Sequence, residues 1–474
     1  MGLACCPLSA PDLLEEFRAM VRKAADQWVD GFAPLFEQDT APGLFALSEH
    51  VQSTRLDFLG ECMKAAVEKL YASYLEQEWA HCPFCDKRLH RKRVESKAIS
   101  TAQGQFLLGR PYFYCSECSH GFYPLDEALG LAPGHHQYDV QKRVTLTAAE
   151  VPFKGASELL EQLTGLRVGD SCAHDTLTAV AQSATIDLVI PAREEIERRI
   201  AQAAGEGGTE LPILVVSSDG AHGRTRPKAP RKGKRGQGQY KEIKGFRIYL
   251  LTPDDRVISV ASWHEFQDSD TLGKALEVAA SRIPQDRVRV CLIGDGASWV
   301  WTEMVRCFPN AKKILDFYHC FEHLHVVARS QYGQGDEAWE GRHWAEINMI
   351  RLCQGDTTSV IASARRLEPR HEDAKEEIRK LIVYLENNAD KIHYFQDIED
   401  GYPAGSGGME SANKFICHTR MKRSGAWWVM ETGNDMLRIR CAVHNGTFDR
   451  VFEHYMASTV SSTRRRKPRR VQNE

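Results

Sequence analysis

No apolar run in the 474-residue sequence approaches the roughly 18–20 residues that a membrane span needs, which excludes a membrane helix. The opening residues, MGLACCPLSAPDLLEEF, lack a basic start followed by an apolar block, so secretion is not expected. Cys6 stands where a myristoylation signal wants Ser or Thr. There is no internal repeat, and the only low-complexity stretches are two basic segments. What is present is ordinary globular composition, 42% apolar and 26% charged, which excludes disorder throughout. The length allows about three domains. Fourteen cysteines without a secretory signal imply a reducing cytoplasm, and hence free thiols or a metal site rather than disulfides.

The net charge of −3 conceals a segregation. Residues 224–244 carry nine Lys/Arg against one acid, Glu242, and the tail RRRKPRR at 464–470 carries six. Without these segments the remainder holds 46 basic and 63 acidic residues, a charge of −17. An acidic body with two concentrated basic segments suggests a polyanionic partner met at defined places. Solvated loops or a localisation tail are the plainer alternative.

Residues 9–78 read as helices. Leu13, Leu14, Phe17, Met20, Val21, Ala24, Ala25 and Trp28 recur at helical spacing after a Ser9/Asp12 capping pair, and these faces are expected to be core. Residues 153–184 outline a helix-turn-helix, with a Gly165-centred turn and Ser171 as the second helix's cap. A charged helix at about 192–204 precedes AAGEGGTE, which is expected to be a domain boundary. Beyond it strand and helix alternate. Strands are expected at 211–218, 246–252, 257–263, 288–293 and 311–315, and residues 335–400 are helical with no strand signal.

Cys82-Pro-Phe-Cys85 and Cys115-Ser-Glu-Cys118 are two C-x-x-C knuckles. Each places two thiolates on a tight turn, and together they make a tetrahedral site about 2.3 Å from a Zn²⁺. The intervening residues suffice for a β-hairpin, so a structural zinc ribbon is expected; four thiolates leave no open position for catalysis.

Three apolar runs end in aspartate: LPILVVSSDGA at Asp219, VRVCLIGDGA at Asp295 and AKKILDFYH at Asp316. Such a placement puts carboxylates at the sheet edge where ligands of α/β proteins collect. Two carboxylates on neighbouring parallel strands need a cation or a proton between them. Hard oxygens with open positions suit Mg²⁺, and two such ions about 3.5–4 Å apart serve phosphodiester chemistry. A third ligand is expected from GYPAGSGGMESANKFICHTRMKRSGAWW, where a Gly-rich stretch leads into a helix carrying Glu410 in its first turn. Asn413 lies on the same face, and Arg420, Lys422 and Arg423 follow, enough to hold a DNA backbone. A capped helix assisted by Glu410 is the plainer alternative.

Taken together, CPFC…CSEC followed by GFYPLDEALGL, then SSDGA, IGDGASWVW, ILDFYHCFEHL, GSGGMES and RSGAWW, the sequence resembles the DDE transposases of bacterial insertion sequences, ISKra type, related to the Mutator-like group. The resemblance implies an α/β, RNase H-like catalytic core with an all-helical insertion, preceded by a helical region with a zinc ribbon and helix-turn-helix. It implies Asp219, Asp295 and Glu410 as the catalytic, Mg²⁺-binding (or Mn²⁺-binding) residues, two ions per site, with Asp316 and His319 matching an accessory D-x-x-H motif. The usual glutamate motif has small or β-branched residues where Gly408 and Met409 stand. The implied reaction is hydrolysis at transposon ends followed by strand transfer, with no protein nucleophile.

The expected organisation is a helical N-terminal region over 1–78, the zinc ribbon over 79–132, a helical region over 133–206, the core over 207–319, the insertion over 320–400, closing helices with Glu410 over 401–457, and a basic disordered tail over 458–474. Lys228, Arg231, Lys232, Lys234 and Arg235 are expected to grip phosphates without reading sequence. The expected partners are double-stranded DNA, as terminal inverted repeats and target, and a second copy of the chain, in a cytoplasmic, nucleoid-associated setting. The alternatives are a catalytically retired DNA-binding descendant and a metal-dependent nuclease without strand transfer.

Overall fold

The structure, a computed structural model, describes residues 10–37, 39–205, 210–228, 237–254, 256–333 and 338–465, with backbone only for 460–465. Arg231, Lys232, Lys234 and Arg235, Ser9 of the expected capping pair, and the tail beyond Arg465 lie outside the described residues. The chain divides into two units, Met1–Ser183 with Phe452–Glu474, and Ala184–Val451. Among the described residues no helix is long and apolar enough to cross a membrane.

In the first unit, helices Ala10–Asp30 and Leu44–Leu70 lie against each other. The apolar stripe of the first is not the closed core its periodicity suggests. Leu13, Phe17, Met20, Val21 and Trp28 are half-buried and Leu14 is exposed, because the helix has essentially one neighbour to bury them against. The longer helix does reach a core, where Val67 packs with Ile99, Phe106, Leu108 and Leu125. Its close approach to the following sheet depends on glycine: a Cβ at Gly104 (φ 126°) would lie 2.1 Å from the Leu56 carbonyl oxygen.

Strands β1 (Trp79–His81) and β2 (Arg88–His90) form one antiparallel pair, and β3 (Arg93–Thr101), β4 (Gly104–Cys115) and β5 (His120–Phe122) a second sheet. Helices Tyr138–Glu150, Phe153–Thr164 and Asp170–Ala181 bury Val140, Val144, Leu160, Leu166, Val168 and Ala173 in one cluster. The Phe153–Thr164 helix ends at Gly165 in the left-handed region (φ 78°), as the turn requires. The cap of the next helix is Gly169, not Ser171, which sits inside the first turn; Asp170 begins the helix ahead of it.

In the second unit a five-stranded sheet runs, edge to edge, Lys312–Leu315, Arg289–Gly294, Ile213–Thr225, Gln239–Leu251, Val257–Glu265. Strands β6 (Ile213–Thr225), β7 (Gln239–Leu251) and β8 (Val257–Glu265) form an antiparallel meander. Strands β9 (Arg289–Gly294) and β10 (Lys312–Leu315) add in parallel on the other side of β6. The central position of β6 explains why Ile213–Ser218 is buried throughout, without polar alternation. Helices Ser269–Arg282 and Ser298–Cys307 connect the strands, and helices from Phe317–Tyr332 to Tyr394–Glu399 follow with no strand among the described residues. The Arg193–Ala204 helix belongs to this unit, so the division precedes the Gly-rich break expected as a boundary. Arg199 ties the helix to the unit by donating to the carbonyls of Ser259 and Asn445, each at 2.9 Å.

Candidate active site and thiol cluster

Register places the aspartates. Ser217 on β6 pairs with Ile293 on β9, so the register brings Asp219, on β6, level with Asp295, one residue beyond the end of β9. Leu315 pairs with Gly294 across β9 and β10, which brings Asp316 level with Asp295. The three acids thus share the carboxyl end of the parallel part of the sheet. One expectation changes in detail: β6 does not end at Asp219 but continues to Thr225, paired with β7 alone. The acid lies where parallel pairing stops, not at a strand tip.

Each carboxylate is held differently. Asp219 Oδ1 accepts from the Gly220 backbone N–H at 2.6 Å and Oδ2 from Asn413 Nδ2 at 2.7 Å. Burial raises its pKa, against the lowering by those two hydrogen bonds; the Asp295 charge raises it too, and His319 lowers it. Asp295 Oδ1 accepts from the Ala297 N–H at 3.0 Å. Asp316, 1% exposed, has both oxygens engaged. Oδ1 caps the Phe317–Tyr332 helix through the His319 N–H at 3.0 Å, and Oδ2 accepts from the Ser406 N–H at 2.6 Å. Asp316 therefore joins the β10 end to the entry of the Glu410 helix, and His319 lies exposed in the first turn it caps.

Glu410 lies on helix Gly407–Ala412, exposed, paired with Lys414 Nζ at 2.7 Å. The Lys414 hydrogen bond and charge hold its pKa below the usual carboxylate range. Gly408 lets this helix approach β7: a Cβ there would lie 2.4 Å from the Tyr249 ring, while the Gly408 carbonyl accepts from Arg247. Met409, beside it, is fully buried. These contacts explain the local departure from the expected motif. Immediately after, Asn413–His418 forms a π-helical turn, a feature that often marks functional sites. Arg440 of helix Met430–Asn445 donates to the Phe415 and Ile416 carbonyls within it.

The acids do not close into a ready three-ligand cage. Among the described residues, the one group of three or more metal-ligating side chains with all donor atoms within 4.8 Å of one another is Cys82, Cys85, Cys115 and Cys118. That group could hold a metal such as zinc. Both knuckles end in a left-handed residue, Asp86 (φ 58°) and Ser119 (φ 48°), and Cys85 and Cys115 sulfurs are 3.6 Å apart. The backbone N–H of Cys118 lowers the pKa of Cys115, whereas the neighbouring Cys85 thiol pushes Cys118 up to about 12.

Of the expected DNA contacts, Lys228, Lys422 and Arg423 are exposed. Arg420 is corrected: it is 3% exposed with its guanidinium 5.5 Å from the Trp428 ring, so it packs inside rather than facing solvent. Trp428 is buried and Trp427 exposed; the segment joins the end of β6 through Arg226 N–H to Trp428 carbonyl at 2.9 Å. Sequence reasoning missed His264, Gly245 and Arg440 around the site. Only the bare presence of a histidine and a glycine in apolar strands signalled the first two.

Fold and site define a mixed α/β protein with level carboxylates at the carboxyl edge of its sheet and a separate four-thiol group. The chain belongs to the uncharacterised protein family UPF0236, which matches residues 46–456. No curated protein matches it. Among solved structures it is similar to the Drosophila P element transposase strand transfer complex, at 12% identity, over 68% of this chain and 81% of that one, with a TM-score of 0.25.

Proposed function

We propose that this protein is a DNA transposase that cleaves DNA at insertion-sequence ends and joins those ends to target DNA by the DDE mechanism. The observation that carries the reading is the level placement of Asp219 and Asp295 beyond the paired ends of β6 and β9. Three antiparallel strands followed by two parallel ones, with helices between Asp295 and Glu410, support an RNase H-like core with an all-helical insertion.

The donor set is all oxygen, which fits Mg²⁺ or Mn²⁺ held by Asp219, Asp295 and Glu410. Bound there, a pair of such ions supplies activation of a nucleophile and stabilisation of a leaving oxygen. Asp219 and Asp295 are fixed by backbone and Asn413 hydrogen bonds, whereas Glu410 has to exchange its Lys414 partner to join them. Exposed Lys228, Lys422 and Arg423 hold the DNA backbone. In cleavage, a water oxygen bonds to phosphorus as the bond from phosphorus to the 3′ oxygen breaks. The freed 3′ hydroxyl then attacks a target phosphodiester and displaces the target's own 3′ oxygen. The four-thiolate group is a structural zinc site. The Phe153–Thr164 and Asp170–Ala181 helices read a terminal repeat, and two copies of the chain bring the two ends together.

The test is cleavage of duplexes carrying the inverted repeats that flank the gene, with Mg²⁺ and with EDTA. Asp295→Asn should abolish cleavage and spare binding; equal loss of binding would make the residue structural. The open arrangement of Glu410 favours a second reading, a DNA-binding descendant that no longer cleaves or a nuclease that does not join strands. Binding without any cutting, or cutting without joining, would decide for it.

A further inference from the structure

Asp219 is not held by its own strand alone. Gly245 on β7 pairs with Asp219 on one side and with His264 on β8 on the other, so the three residues form one cross-strand row. Gly245 has no side chain, and the His264 ring lies across it: a Cβ built there would be 2.1 Å from His264 Cδ2 and 2.5 Å from Nε2. The ring spans the row and meets Asn413, with Nε2 to Oδ1 at 3.2 Å. Asn413 in turn donates from Nδ2 to Asp219 Oδ2 at 2.7 Å. His264 is fully buried and Asn413 is 5% exposed, so neither group exchanges its partner for water.

The donor and acceptor roles along this row are forced. An ionised Asp219 only accepts, so the amide nitrogen of Asn413 must face it. The amide oxygen is then left for His264, whose Nε2 must carry the proton. His264 Nδ1, buried with no hydrogen-bond partner among the described residues, is the bare nitrogen of that tautomer. Asn413 opens the π-helical turn whose Phe415 and Ile416 carbonyls Arg440 holds, so the turn that carries it is also tied to the Met430–Asn445 helix.

We infer that Asn413 is a positioning residue, oriented by His264 across Gly245, that aims the Asp219 carboxylate for a divalent cation. This rests on the reading of Asp219 as a metal ligand. Hydrogen-bonding partners of ligating groups fix ligand orientation, and their loss typically costs about 10–100-fold in metal affinity.

The experiment titrates Mn²⁺ by calorimetry into the zinc-loaded full-length protein without DNA, with a thermal melt of every variant. Asn413→Ala should weaken Mn²⁺ binding by roughly 10-fold or more. His264→Phe, which removes the N–H, should weaken it similarly, and His264→Gln, which restores an amide N–H toward Asn413, should bring it to within about threefold of the wild type. A purely structural role would lower the melting temperature of both His264 variants without this split in affinity. Asp219→Asn separates the two claims. If it abolishes Mn²⁺ binding while Asn413→Ala binds like the wild type, the positioning role is wrong and the ligand reading stands. If Asp219→Asn binds Mn²⁺ normally, the ligand reading fails and the inference falls with it. Should Asn413→Ala not fold, equal affinities of His264→Phe and His264→Gln would overturn the inference.

Discussion

A single methyl group at Gly245 probes the packing beneath Asp219. Ordinary van der Waals contact begins near 3.4 Å, and a Cβ at this position would sit 2.1 Å from Cδ2 of the His264 ring, so the ring must move by about 1.3 Å. The ring is fully buried and bounded by β7, β8 and the π-helical turn, so it has no solvent to move into. Overpacking of this kind costs about 1–3 kcal/mol. Displacing His264 also breaks its bond to Asn413 and leaves buried polar atoms unpaired, about 1–3 kcal/mol more. Gly245→Ala should therefore destabilise by about 2–6 kcal/mol, a fall in melting temperature of roughly 5–15 °C. Gly407→Ala is the control. Among the described residues nothing lies within 4 Å of its Cβ, and it opens a helix, so it should be neutral or slightly stabilising, by up to about 1 kcal/mol. Differential scanning calorimetry of both variants decides it. Equal melting temperatures for the two would show that His264 is not pinned across Gly245, and the cross-strand row would lose its basis.

The second unit should lose stability in mild acid. Burial holds the pKa of His264 at about 3 and His444 at about 4, below the ordinary 6.5, so the unfolded chain takes up protons first. Their contribution is complete above pH 6.5 and is lost as pH falls through 6.5, toward 4 for His444 and 3 for His264; urea midpoints at pH 7 and 5 measure it, and His444→Gln should reduce the difference while the His264 share remains. Removing zinc with a strong chelator, or substituting Cys115→Ser, should unfold residues 79–132 selectively, seen as loss of bound zinc and new protease cleavage there. Survival of that region would remove the structural metal. Asp316→Ala should cost about 1–3 kcal/mol, since it uncaps one helix and leaves the half-buried Ser406 N–H without its acceptor. A change below 0.5 kcal/mol by denaturant titration would refute the clamp.

Strand β6 was legible because Ile213–Val216 is an uninterrupted apolar run, as a central strand buried on both faces requires, whereas β7 was legible only from Phe246, because Lys241, Glu242 and Lys244 break the apolar pattern of its first half. The thiol cluster was legible because its spacing is local: two knuckles describe their own turns. What stayed hidden depends on registers between distant segments. Nothing in the apolar run around His264 says that its ring reaches across a glycine to a residue 149 positions further on. Arg420 illustrates the opposite failure. Its basic neighbours suggested a phosphate contact, but the turn of the helix points it inward onto Trp428, and composition does not carry that phase. The first helix misled for a related reason, since periodicity reports an amphipathic face but not how many neighbours exist to bury it.

The candidate site is built with unequal stiffness, and that inequality bears on how the proposed reaction would be controlled. Asp219 and Asp295 are tied to a sheet whose register cannot slip without turning every buried side chain outward. Glu410 instead stands on a six-residue helix that continues into a π-helical turn, exposed and engaged by Lys414. The helix is fastened at its entry by Asp316 and Arg247, and the turn beyond it by Arg440, so its backbone is placed while the carboxylate remains free to choose a partner. An exposed ion pair of this kind is worth at most about 1 kcal/mol, and DNA phosphates entering beside Lys414 compete for the same cation. Completion of the three-carboxylate set would then follow DNA binding rather than precede it. A protein so arranged would bind a divalent ion weakly through two aspartates alone and more tightly with DNA present. Mn²⁺ affinity measured with and without a bound duplex tests this order, and equal affinities in the two states would refute it.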